Sequence, residues 1–438
     1  MPNNINRRGF IKTTAAAGTL AMAGGLARAA EKKATTPKLG ANERINTAII
    51  GIRSQGRNHI AYQTATPGVQ IVTLCDIDEN LFADRVKLVP GGKPKIETDM
   101  RRVFDDKDVD CVVIAMPNHW HALATIWACQ AGKDVYVEKP TTYCISEGPK
   151  MMAAAKKYNR VVQNGTHLRM QTGREEGIKK LREGLIGDIY MARAFIYNPR
   201  KGIGNKADCP APKGVNYDGW QGPARVRPFN PNRFHYEWHW NWEYGNGEIG
   251  NNGPHMNDLL IQGLDKQEIL PVKISSHGGR FVWNDQGETP NVQTTNYTYG
   301  DGTVATLEIS NLHITKEMGT SEGVIFYGSK GHMVINLRGE YQTVIGGKPG
   351  PKGAGGGAHR ELARNFYDVV KSRKTEDLKA PLKYGHTGAA LCHLGNIAYR
   401  LGQTIDFDPK TETCPGNDAA NALLTRKYRK PYSMPKEV

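Results

Sequence analysis

From Arg44 onward the chain alternates short apolar runs with longer amphipathic ones. "INTAIIGI", "VQIVTLCDID" and "DVDCVVIAMP" are rich in β-branched residues and apolar at consecutive positions. That is the pattern of strands covered on both faces. Between and after them, "ENLFADRVKLV", "WHALATIWACQAG" and "ISEGPKMMAAAKKY" read as helices, while "KDVYVEKP" and "NRVVQNGTH" continue the strands. Strand–helix alternation predicts an α/β fold with a doubly wound parallel sheet over residues 44–165.

Past about Gly165 the pattern changes. "GDIYMARAFIYNP", "VKISSHGGRFVW", "VQTTNYTYG", "TVATLEISNLHI", "GVIFYGSKGHMVIN" and "YQTVIGG" are longer strand-like runs separated by Gly, Asn and Asp. They predict a second α/β domain, residues 166–438, with an open, mainly antiparallel sheet covered on one face. Helices near His255–Leu264 and His359–Ser372 interrupt or close that sheet, and a third runs through His386–Leu401. "GGKPGPKGAGGGAHRE" is a loop by composition, either a connector or a lid.

The first 29 residues have a different character. Arg7 and Arg8 precede Gly-Phe-Ile-Lys, a weakly apolar Ala/Gly/Leu/Met run follows, and Ala27-Arg28-Ala29 closes it. Charged start, apolar middle and small-residue end make a secretory leader, and the arginine pair marks the twin-arginine kind, which exports folded proteins. Residues 30–43 are a polar linker. The expected location is the periplasm, with no membrane insertion after cleavage, since the remaining chain has no apolar stretch long enough to span a bilayer. The formal net charge is +15, but lysines and arginines are dispersed rather than interleaved with aromatics, which argues against a nucleic-acid partner. Seven cysteines without CxxC spacing read as small buried apolar residues rather than a disulfide framework.

The candidate chemistry begins at "GIRSQG", between the first strand and the first helix. Gly51 suits the tight turn and Gly56 the close helix–strand approach, with a helix N-terminus facing a pyrophosphate. Arg53 occupies the place of the middle glycine. Asp76 ends the second strand, twenty residues after Gly56, where a carboxylate receives ribose hydroxyls. This is a Rossmann domain for NAD; NADP stays open, because the Arg53 guanidinium suits a phosphate. "RFHYEWHWNWEYGNGE", residues 233–248, offers Trp238, Trp240 and Tyr244 as flat surfaces for the apolar face of a sugar, or as packing residues. His167 and Arg169 follow the last strand of the first domain and enter the same cleft. His119, His121, His235 and His239 are spaced as metal ligands only on paper, and no metal is expected.

Pro117-Asn118-His119 after the fourth strand, Glu138-Lys139-Pro140 after the fifth, "WQGPA" at 220–224, "GNGEIGNNGPHMND" at 245–258 and "GHTGAALCHLGNIAYRLG" at 385–402 together resemble the Gfo/Idh/MocA family of oxidoreductases, over essentially the whole chain after the leader. With the twin-arginine signal they resemble its exported branch. The resemblance implies Lys139 beside the nicotinamide and reacting hydroxyl, and His255 as the proton-transferring group. It also implies Pro117, Asn118, His121 and Glu138 near the nucleotide, Asp258 near substrate, and a homodimer or homotetramer. A neutral imidazole takes a hydroxyl proton near physiological pH, and an ammonium stabilises the alkoxide that develops. Many family members have Asp where this chain has Asn251, four residues before His255. An amide carries no proton, so Asn251 orients His255 or binds substrate instead.

The first functional reading is an NAD(P)-dependent oxidoreductase acting on a secondary hydroxyl of a sugar, glycoside or cyclitol, its nucleotide bound before export. The second is a redox-neutral NAD-dependent glycosidase or lyase working through a keto-sugar. The NAD-dependent glycosidases of the family usually lack the lysine of Glu-Lys-Pro, so Lys139 weighs against it. The third is a non-catalytic carbohydrate-binding protein, suggested by Arg53 and Asn251.

Overall fold

The computed structural model describes residues 44–313, 315–435 and 438; the leader and linker read from residues 1–43 lie outside it. Strands β1 (Ile45–Ile50), β2 (Val69–Cys75), β3 (Lys95–Glu97), β4 (Cys111–Ile114), β5 (Asp134–Val137) and β6 (Val162–Asn164) form one sheet in the order β3-β2-β1-β4-β5-β6. All its pairings are parallel. Strands β4 and β5 are buried at every position, as their unbroken apolar runs require. The strand order reverses direction between β1 and β4, which opens a crevice at the carboxyl ends of those strands.

The second sheet contains β7 (Ile189–Tyr197), β8 (Lys273–Gly279), β9 (Val292–Thr298), β10 (Val304–Ser310), β11 (Glu322–Gly328), β12 (Gly331–Asn336), β13 (Tyr341–Ile345), β14 (Lys348–Gly353) and β15 (Ile405–Asp406). Their order is β14-β13-β12-β11-β7-β10-β9-β8-β15, antiparallel except where β7 meets β10. Alternate residues Ala305, Leu307 and Ile309 of β10 are buried among Met256 and Leu260 of helix Gly253–Gly263 and Leu391 and Leu394 of helix Leu382–Leu401. Those two helices cover one face of the sheet.

Two expectations are corrected. The Gly/Pro-rich segment is not all loop: Lys348–Gly353 is an edge strand paired only with β13, where Pro349 and Pro351 cost no interior ladder hydrogen bond. Helix His359–Ser372 closes the first sheet, not the second, because its apolar stripe of Leu362, Phe366 and Val369 packs with Ile49, Ile60 and Val113. All seven cysteines are free, and only Cys209 is exposed. No helix among the described residues is long and apolar enough to cross a membrane.

Candidate active site

The crevice is a cleft of about 600 Å³, walled on one side by the carboxyl ends of β1, β2, β4 and β5 and on the other by residues 216–239, Asn251, His255 and His359. Gly51 turns with φ +83°, and a Cβ there would lie 2.6 Å from the Ala115 carbonyl oxygen. At Gly56 a Cβ would lie 1.7 Å from the Gly51 carbonyl oxygen, so helix Ser54–Thr64 can begin this close to β1 only with glycine. Arg53 stands at that helix's N-terminus and lines the cleft. Asp76 Oδ2 accepts from the Ile52 N–H at 2.8 Å and Oδ1 from the Asp78 N–H at 3.0 Å. Burial pushes the Asp76 carboxyl up to about 6 while those amides hold it down. A sharp glycine turn, a helix N-terminus and a fixed carboxylate at the end of β2 are the parts a dinucleotide needs, and the chain supplies all three at one crevice.

Two strands from β1, the loop after β5 carries the second group. Glu138 is buried; Oε1 meets His59 Nε2 at 2.8 Å and the Gln55 amide at 3.0 Å, and Oε2 accepts from the Lys139 N–H at 3.1 Å. Burial opposes its ionisation, yet His59 and the Lys139 charge hold the carboxyl well below the usual range. Lys139 Nζ donates to the Asn251 carbonyl at 2.7 Å, with Asn251 Oδ1 at 3.4 Å. Burial lowers the Lys139 pKa, with Glu138 and Glu248 opposing. Asn251 Nδ2 donates onward to the Tyr236 hydroxyl at 3.2 Å, which also receives Arg200 Nη1 at 3.0 Å. Arg200 is paired with the fully buried Glu248 at 2.6 Å.

His255 enters from the first turns of helix Gly253–Gly263 and lines the same cleft. Its ring meets His167 edge-on at 4.9 Å, and His167 stacks on His359 at 3.4 Å. The Nδ1 atoms of all three are buried without a partner among the described residues. Burial, then His167 and Lys139, push His255 well below its ordinary pKa. Burial and His359 take His167 down to about 3, and burial takes His359 to about 4. The three rings are therefore neutral imidazoles at physiological pH, each with one buried nitrogen that has no hydrogen-bond partner among the described residues.

The structure gathers Gly51, Arg53, Asp76, Pro117, Asn118, Glu138, Lys139, His167, Trp238, Asn251 and His255 around the cleft. Five of the other expected residues stand elsewhere. His121 is buried between the Met116 and Pro140 carbonyls, at 2.7 and 2.6 Å from its ring nitrogens, and braces the two loops instead of touching a nucleotide. Arg169 and Asp258 pair with each other at 2.6 Å, and Arg174 adds a second 2.6 Å contact to Asp258. This buried triad knits three helical segments behind the site. Tyr244 is fully buried against Trp220 and Phe234, and Trp240 turns its indole N–H to Glu237 at 3.0 Å. The aromatic segment is a 3₁₀ helix over His235–Trp240, which sends Tyr236, Trp238 and His239 to the cleft and Trp240 inward. Among the described residues no three His, Cys, Asp or Glu side chains are grouped to hold a metal ion.

Sequence reasoning missed Gln55, Asp78 and His359 as cleft residues. Gln55 lies inside the glycine motif, so its place there was open to inference. His359 had no such signal, being brought in by the packing of its helix on the first sheet.

Residues 45–166 match the model described as "Oxidoreductase family, NAD-binding Rossmann fold", and residues 195–434 match "Oxidoreductase family, C-terminal alpha/beta domain". A "Glycosyl hydrolase family 109 protein" of Shewanella pealeana is 27% identical over 222 residues, 45% of this chain and 47% of that one. The chain thus matches about half the length of such curated relatives. Among solved structures, aldose-aldose oxidoreductase from Caulobacter crescentus superposes with TM-score 0.64 at 17% identity, covering 83% of this chain and 100% of that one. The WlbA dehydrogenase of Bordetella pertussis, in complex with NADH and UDP-GlcNAcA, gives 0.63 at 16% identity, covering 83% and 99%. With both of its domain models matched in order across the described chain, this protein belongs to the Gfo/Idh/MocA oxidoreductase family and carries its NAD-binding Rossmann domain.

Proposed function

We propose that the protein is an NAD(P)-dependent oxidoreductase acting on a secondary hydroxyl of a sugar, glycoside or cyclitol. The carrying observation is that Lys139, Asn251 and His255 line one cleft with the Gly51 turn and Asp76. Gly51, Arg53, Asp76, Pro117 and Asn118 would hold the nucleotide, and the nicotinamide, when bound, supplies the acceptor for a hydride. Asp76 favours unphosphorylated ribose, because an ionised carboxylate repels a 2′-phosphate. His255 is neutral and takes the hydroxyl proton. Lys139, fixed by two oxygens of Asn251, keeps an N–H for the oxygen that becomes an alkoxide. Asn251 carries no proton; it anchors Lys139 and reaches Tyr236. Trp238 and His239, stacked at 3.6 Å, give the substrate a flat wall. The sugar-active names of the relatives support this substrate class.

The second reading, redox-neutral glycoside cleavage, is favoured by the glycosyl hydrolase relatives. There the same residues would serve a transient ketone, whose acidic neighbouring C–H allows the glycosidic oxygen to be eliminated. We further propose that residues 1–29 export the protein to the periplasm with its nucleotide aboard, and that it assembles as a homodimer or homotetramer.

The test is direct. Protein purified from the periplasm is denatured and the released nucleotide identified by mass spectrometry, then sugars and aryl glycosides are offered. Bound NAD(H) or NADP(H) with keto-sugar product supports the first reading; glycoside cleavage with unchanged nucleotide absorbance supports the second. A protein that binds no nucleotide overturns both.

A further inference from the structure

The last residues of the chain leave the core of the second domain and return to the first. Arg429 fastens them: its N–H donates to the Pro223 carbonyl at 3.0 Å, Nε to the Gly222 carbonyl at 2.9 Å, and Nη1 pairs with Asp218 at 2.7 Å. The Tyr428 hydroxyl donates to the buried Glu147 at 2.6 Å. Beyond Arg429, whose guanidinium lies 5.1 Å over the Tyr432 ring, Met434 and Val438 pack on the apolar face of the first sheet. Held at both ends, the segment delivers Tyr432 to the cleft wall, edge-on to Trp120 at 5.3 Å, with Trp127 a further 6.0 Å behind.

Sheet order fixes which end of the cleft this is. Lys139 follows β5, while Thr98, Met100 and Arg101, which share the cleft with Tyr432, follow β3. Strands β2 and β1 stand between β3 and β4, and Asp76 ends β2. The Tyr432 wall therefore lies on the ribose-carboxylate side, away from the reacting hydroxyl. Met100, Trp120, Trp127 and Tyr432 give it an apolar, aromatic lining beside Asp99 and Arg101, suited to a planar heteroaromatic base.

Resting on the NAD reading above, we propose that the C-terminal segment is a strap that walls the base subsite, that Tyr432 meets the adenine ring, and that the strap sets how slowly the dinucleotide leaves.

The experiment measures NADH release from full-length protein by stopped-flow fluorescence, chasing with excess NAD. It compares wild type with Tyr432→Ala, Tyr432→Phe and a chain ending at Lys430. Reduced nicotinamide mononucleotide, which lacks the adenosine half, is the control ligand. Base–aromatic stacking predicts release about tenfold faster or more for Tyr432→Ala and the shortened chain, and near wild type for Tyr432→Phe. Affinity for the mononucleotide should be unchanged in all. Should the alanine variant fail to fold, Tyr432→Leu keeps the bulk without the flat ring and carries the same comparison. Wild-type release rates in the variants, or equal weakening of the mononucleotide, overturn the strap. A wild-type protein that binds neither nucleotide overturns the reading of the cleft itself, which is a separate failure.

Discussion

Lys139 and His255 are both displaced by burial toward their neutral forms, but with opposite consequences. A lysine with a lowered pKa gives up its proton more readily, while a histidine with a lowered pKa is neutral at physiological pH. Removing either group should lower kcat about 10²–10⁴-fold, the usual worth of a positioned acid or base, and leave nucleotide affinity nearly intact. Steady-state kinetics of Lys139→Met and His255→Asn beside NADH titrations check this; loss of both properties together would point to collapse of the site. The acid limb of kcat/KM should fall below the ordinary imidazole value of 6.5, because His255 protonates only well under it. Asn251→Asp would set a carboxylate within 3.4 Å of Nζ, the present Oδ1 distance. An opposite charge at that range raises a lysine pKa by about one unit or more, so the alkaline limb should move up by that amount. An unmoved limb would mean that Lys139 does not titrate in the catalytic cycle.

Helices and strands differ in how openly the chain declares them. Strands β1, β2, β4 and β5 are legible because burial on both faces demands unbroken apolar runs. Strand β3 is not, because it is three residues at a sheet edge with Ile96 half exposed. The helix starting at His359 has a clear amphipathic stripe, yet the stripe does not say which sheet it meets. That choice is made by shape, through Phe366 against Val113 and the Tyr367 hydroxyl at 3.0 Å from Thr47. The same limit applies to Asp258. Its position in a motif suggested substrate, but two buried guanidinium groups claim both of its oxygens. Asp258→Asn should therefore cost about 3–5 kcal/mol of stability by leaving those charges uncompensated. Denaturant titration checks the stability. A rise in KM with stability unchanged would restore the substrate role.

At the scale of the whole molecule, the two domains meet through neutral histidines, and this gives the fold a pH limit. His119 sits between them with Nε2 3.0 Å from the Trp220 carbonyl, and His393 reaches Thr142 with Nε2 at 3.0 Å. Each is at most 4% exposed. Burial, seconded by Arg426 for the first and His386 for the second, lowers both to about 3. In the unfolded chain they protonate near 6.5, so below that pH the unfolded state binds more protons than the folded one. Their contribution is complete above pH 6.5 and is lost progressively as pH falls toward 3. Two such groups give a slope approaching roughly 2.7 kcal/mol per pH unit once both are protonated when unfolded. Unfolding free energy measured by urea titration across this range should bend downward near pH 6.5 in the wild type. His119→Gln, which keeps a hydrogen-bonding group but cannot titrate, should lower the measured slope by roughly 1.4 kcal/mol per pH unit, the share of one group beside the other buried histidines. A slope unchanged in this variant would mean that His119 is protonated in the folded protein, with its charge met by the Trp220 carbonyl.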